Sequence, residues 1–181
     1  MTSQQTSAPG ASRRTVWIGV AIVLAVVAAG VVGWSATCPC DRTPGLMLLG
    51  SAQQEPVTDW TFANDVPLCQ IQVWTSTGPR AMNVTCMATP EGDLFLSCSN
   101  GPQKYWCGQV GQDESARLRL RDVIYPVVLN RVVDAEPLDR AWVARVKKLQ
   151  AHNPSGAPVP ASDAKRPDTW WSFQARSAGG R

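Results

Sequence analysis

The chain has 181 residues, 17 Lys and Arg against 14 Asp and Glu, a net charge of +3 and a single histidine. That length holds one domain with appendages. The weak charge excludes binding to nucleic acid through backbone neutralisation. One histidine excludes a histidine-rich metal site and argues against Ser–His–acid catalysis.

Residues 1–14 are rich in Ser, Thr, Gln and Ala and read as a disordered tail. Thr15 to Trp34 follows without a charge, long enough as a helix to span about 30 Å of hydrocarbon. We read 15–34 as a transmembrane anchor rather than a cleaved signal, whose apolar region is shorter and ends in small residues. Arg13 and Arg14 precede it, so the positive-inside rule puts the N-terminus in the cytoplasm and the rest outside. Ser12-Arg13-Arg14-Thr15-Val16-Trp17 also resembles a twin-arginine export signal. Ala25, Ala29 and Gly33 stand four apart, the spacing of a helix-dimer face.

All six cysteines, Cys38, Cys40, Cys69, Cys86, Cys98 and Cys107, come after the anchor. In an exported domain they are compatible either with buried thiols or with one or two bridges. Residues 35–56, with Pro39, Pro44, Gly45 and Gly50, read as a linker carrying the apolar patch Leu46-Met47-Leu48-Leu49. That patch would lie on the membrane surface or pack on the domain.

The folded domain is expected over 57–177. Leu68 to Thr75 predicts a buried strand, and Thr77-Gly78-Pro79 a turn. Arg80–Ala88 and Leu94–Ser99, around Thr89-Pro90-Glu91-Gly92-Asp93, predict a hairpin. Asn100 then caps a helix opened by Gly101 and Pro102 and ending by Gly111. In Ala116 to Arg121, apolar residues alternate with Arg117, Arg119 and Arg121, one face buried and one wet. Val123 to Val133 continues as strand.

Pro137 opens a second helix, with Leu138, Trp142, Val146 and Leu149 on one stripe, read as a lid on the sheet. Residues 151–167 are a Pro-rich loop that contains His152, Thr169 to Arg176 is a last strand, and 178–181 is a tail. The fold class is therefore mainly β: a six-stranded antiparallel barrel with two helices, behind one transmembrane helix.

In the expected hairpin, Arg80 lies at the same end as Ser97, Ser99 and Lys104. Two cations, two hydroxyls and the N–H groups of a helix start would suit a phosphate. The acidic residues sit mainly at turns and element ends, so no acid–base pair is assigned.

Taken in order, Asp59-Trp60-Thr61-Phe62, Gln72-Val73-Trp74-Thr75 and Gly78-Pro79-Arg80-Ala81-Met82-Asn83 form the first part of a familiar pattern. Glu91 to Ser97, Gln103-Lys104-Tyr105-Trp106, Arg117 to Tyr125 and Trp170-Trp171-Ser172-Phe173 complete it. This order resembles the split β-barrel flavin-binding superfamily, which includes pyridoxamine-phosphate-oxidase-like proteins and deazaflavin-dependent nitroreductases. The resemblance implies a homodimer holding FMN or deazaflavin at the subunit interface. By it, Arg80 and Lys104 match phosphate-contacting positions, and Ser97, Cys98 and Ser99 match a strand end contacting the cofactor. Asn83 lies on the Arg80 strand, and Trp106 matches a tryptophan of deazaflavin-type members.

The implied function is a membrane-anchored oxidoreductase passing electrons to a small organic or quinone-like acceptor, the ring doing the redox chemistry. Arg80 is followed by Ala81-Met82-Asn83-Val84 instead of the superfamily's run of basic residues. That departure favours the alternative, a non-enzymatic module binding a ligand or protein.

Overall fold

A computed structural model of the chain describes residues 13–37, 45–153, 156 and 158–179. The N-terminal tail, Cys38, Cys40 and parts of the Pro-rich loop lie outside the described residues. Two compact units divide the chain at Trp34 and Ser35.

In the first unit, α1 runs from Arg13 to Thr37. Its stretch Arg13–Trp34 has a mean hydropathy of 2.6 and is 0% buried. Trp17, Ile22, Val26 and Val32 are all more than half exposed. Such a helix, lacking a polar face, is long and apolar enough to cross a bilayer.

The second unit is a curled antiparallel sheet with two helices. Its elements are β1 (Ser51–Ala52), β2 (Cys69–Thr75), β3 (Gly78–Val84), β4 (Cys86–Ala88) and β5 (Leu94–Cys98), then α2 (Tyr105–Gln109). β6 (Glu114–Leu120), β7 (Val123–Val132), α3 (Ala135–His152) and β8 (Trp171–Ser177) follow. The strand order is β3-β2-β6-β7-β8-β5-β4. Its two ends, β3 and β4, are separated in sequence only by Thr85. They form one bent strand that draws the sheet's edges together, which leaves six strands along the curled path, with the short β1 paired to β7 off it.

Alternation decides what each face packs against. In β6, Ala116, Leu118 and Leu120 are buried while Arg117 and Arg119 are half-exposed, so the period-two reading holds. In β5 every residue is buried. Leu94, Leu96 and Cys98 enter the barrel core with Ile71, Val73, Leu118, Leu129 and Phe173. Phe95, on the opposite face, joins Met87, Leu138, Ala141, Trp142, Val146 and Trp170 under α3. The predicted stripe of α3 is buried throughout, and each such side chain removed from water contributes about 1.5–3 kcal/mol.

Several expectations are corrected. Arg80–Ala88 does not form one hairpin with Leu94–Ser99. β3 pairs with β2, placing Arg80 opposite Val73, and only Cys86–Ala88 pairs with β5, because the chain bends at Thr85. Asn100 is not a side-chain cap: it adopts φ 63° with no capping hydrogen bond. A 3-10 turn over Gly101–Gln103 and a five-residue α2 replace the single helix expected there. Gly101 is required, since a Cβ would lie 2.2 Å from the Trp171 ring.

His152 is the last residue of α3, not a loop residue, and its Nε2 lies 2.8 Å from the Asn64 carbonyl. Part of the expected linker belongs to the sheet. Gly45 bridges Ala81, Leu48 is buried beside Ala81 and Ile124, and β1 runs parallel to β7. Of the two states left open for the central cysteines, both pairs are bridged, Cys69–Cys86 and Cys98–Cys107.

Candidate functional site

The β5 face that presents Phe95 to α3 also presents Ser97, then Ser99 just past the strand end, because side chains two apart share a face. Here α3 carries Arg145, and the residue leading into β8 is Trp170. Arg145 donates from Nε to Ser97 Oγ at 2.9 Å and from Nη2 to Ser99 Oγ at 3.2 Å. Trp170 Nε1 donates to the same Ser97 Oγ at 2.7 Å. The guanidinium lies 5.1 Å from the Trp142 ring, and Trp142 and Trp170 meet edge to face at 5.2 Å. The two rings and hydroxyls therefore hold Arg145 in place.

Ser97 is 8% exposed. Its oxygen accepts two N–H groups, which uses both lone pairs and leaves its own O–H hydrogen to donate.

Lys104 stands between the 3-10 turn and α2. Its surface is open, but nearby walls partly desolvate the ammonium. Its pKa is lowered first by that desolvation and then by the charge of Arg145. Desolvation also lowers Arg145. Among the described residues, the ion pairs are Arg140–Asp93, Arg140–Glu136, Arg166–Asp139 and Arg176–Asp113. Neither Lys104 nor Arg145 takes part in them. Two partly desolvated cations that repel each other, with no carboxylate between them, are relieved by an incoming anion.

Of the predicted site, the structure brings Ser97 and Ser99 together under Arg145, with Trp170 on Ser97, and Lys104 stands near enough to feel the charge of Arg145. Arg80 sits beside α2, its guanidinium 5.6 Å from the Tyr105 ring centroid. The Tyr105 hydroxyl lies 2.9 Å from Ser76 Oγ. That bond foremost, with those to Thr77 and Thr75 and the charge of Arg80, holds the exposed phenol at about 8. Asn83 is on β3 opposite Gln70. Cys98 is tied to Cys107, and Trp106 is buried against Phe173 with ring centroids 5.4 Å apart. Arg145 escaped the sequence reading because it lies 46 and 48 residues from its serine partners. Its one signal was a basic residue three positions after a tryptophan on the packing stripe.

No protein-family model matches the chain, and no curated protein matches it. Among solved structures it is similar to the conserved hypothetical protein Rv2991 from Mycobacterium tuberculosis. That match has 12% identity and a TM-score of 0.44, covering 71% of this chain and 90% of the other. It is also similar to the FAD binding protein from Mycobacterium smegmatis, at 13% identity and a TM-score of 0.39, covering 67% of this chain and 95% of the other.

Proposed function

We propose that this chain is a membrane-anchored binding domain for a flavin-type cofactor, FMN or deazaflavin, and that Lys104, Arg145, Ser97 and Ser99 receive its phosphate. One observation carries the reading: Arg145, which has no carboxylate partner among the described residues, meets a buried serine that still has a hydrogen to give, and Lys104 is near enough to feel its charge. This donor set fits a phosphate, which accepts charge-assisted bonds from guanidinium, ammonium and hydroxyl together. Arg80, beside Tyr105, would guard the flank of the site.

A bound flavin would supply hydride or electron transfer. The chain's residues would hold and orient it. The split-barrel resemblance adds the expectation that a second copy covers the ring. A small organic or quinone-like acceptor suits a domain tethered to a bilayer. Two disulfides suit an oxidising compartment, and with the arginines before α1 they support an extracytoplasmic domain. The alternative, binding without turnover, draws support from Ala81-Met82-Asn83-Val84, which stand after Arg80 where the superfamily carries basic residues.

Absorbance of the purified chain near the flavin bands, with and without added FMN or deazaflavin, tests this. The expected result is a saturable spectral shift that bleaches with reductant. Lys104→Ala with Arg145→Ala should weaken binding at least 100-fold, since charge-assisted bonds are worth about 1.5–3 kcal/mol each. A shift without bleaching would favour the passive module. An unchanged spectrum would end the flavin reading.

A further inference from the structure

A second concavity lies apart from the serine–arginine cluster, between α3, the 3-10 turn Thr61–Asp65 and the β4–β5 turn. It encloses about 850 Å³, within the ~300–1,000 Å³ range of small-molecule sites. Ala88, Pro90, Val143, Ala144 and Ala151 give it apolar walls. Among these walls sits Lys148, 3% exposed. Its Nζ donates to the Ala63 carbonyl. An ammonium has three donors, and no other acceptor is found for it among the described residues. Asp65 lies near enough to favour the charge but forms no ion pair with it.

The groove also contains Thr89, 1% exposed, whose hydroxyl has no hydrogen-bond partner. Glu91, exposed at the rim, is held below the usual carboxylate range by this hydroxyl, yet the two fall short of hydrogen-bond geometry. The other rim acids are engaged. Glu136 lies 3.3 Å from Arg140, and Asp139 lies 3.1 Å from Arg166. Lys147, at the rim, has no ion pair. Of the charged residues that line the groove, Lys148 is the buried one.

We propose that this groove binds a small apolar monocarboxylate, its tail against the alanine, proline and valine walls and its head on Lys148 and Thr89. One ammonium and one hydroxyl match two oxygens that share a single charge. Lys148 is the single buried cation of the groove, which suits one negative charge better than two. The apolar walls exclude a small hydrophilic acid, which would leave them in contact with water.

The probe is octanoate, titrated calorimetrically into full-length chain in lipid nanodiscs, with empty nanodiscs as baseline and octanamide as the uncharged isostere. Octanoate should bind saturably, one per chain, and octanamide at least tenfold more weakly, the ratio expected for one charge-assisted bond of ~1.5–3 kcal/mol. Lys148→Met should remove the preference for the acid. Val143 is 49% exposed, so Val143→Glu leaves the core untouched while placing a like charge on the wall. It should weaken octanoate at least tenfold even if Lys148→Met does not fold. Equal binding of acid and amide, no saturable heat above baseline, or octanoate binding unchanged by Val143→Glu would overturn the proposal. A dimer that Val143→Glu dissociates, without octanoate binding, would assign the groove to a second copy and overturn it too.

Discussion

Ser97 does more than its neighbours because two nitrogens converge on one oxygen and fix the direction of the remaining O–H. Ser97→Ala would remove both acceptances and free Arg145 on that side. Lys148 shows the same dependence on surroundings in a different setting. Burial lowers its pKa to about 8 from 10.5, a shift that the charge of Asp65 partly opposes. Between those pH values the unfolded chain binds more protons than the folded one, so stability rises with pH across that window. Below about 8 the buried ammonium imposes its full cost. The thermal midpoint of the wild type should therefore gain on that of Lys148→Met as pH increases from 8 to 10.5. A constant difference would mean that the ammonium is not desolvated.

These two residues also mark how far side-chain chemistry could be read in advance. That Ser97 and Ser99 share one face at a strand end was legible because local order alone puts them there. Lys148 lies off the Leu138, Trp142, Val146 and Leu149 stripe, a position that in an amphipathic helix ordinarily faces water. Only the 3-10 turn and its Ala63 carbonyl, 85 residues away, turn that position inward.

Among the elements, α2 has five residues, too few to keep its own shape by helix propensity. The Cys98–Cys107 bridge ties it to the end of β5 and so restrains the segment that carries Lys104. Closing a loop of 9 residues is worth about 2.5 kcal/mol on the chain-entropy account. Cys98→Ser with Cys107→Ser should lower stability by about that amount. It should also speed hydrogen exchange over Gly101–Gln109 and weaken anion binding several-fold, while β6 and β7 stay protected. Unaltered exchange in that segment would show that packing of Trp106 suffices to hold α2. The hairpin expected from Arg80–Ala88 failed for a reason at this scale. Both halves have strand-forming residues, and nothing in their pattern announces that Thr85 splits them between two partners. The β6 alternation succeeded because one of its faces meets a core and the other meets water.

For the molecule as a whole, the three hydrophobic clusters among the described residues draw on residues from Leu48 to Ala175, while the stretch Arg13–Trp34 of α1 is 0% buried. The helix long and apolar enough to cross a bilayer and the folded sheet thus occupy different stretches of chain. A reporter active only outside the cytoplasm, fused after Arg181, should be active. Material made in a reducing cytosol should show free thiols at Cys69 and Cys86 and unfold at lower temperature, the larger loop being worth about 3 kcal/mol. A silent reporter would reverse the orientation and remove the reason for the bridges.

The sequence by itself determined the long apolar helix, most of the strands and the amphipathic α3, because each depends on hydrophobic spacing within a short window. Tertiary structure alone decided which cysteines join, that Gly45–Ala52 packs on the sheet, that Arg145 meets Ser97 and that Lys148 turns toward a groove. Those outcomes depend on contacts between residues tens of positions apart. Curling of the sheet creates them, and no local pattern encodes them.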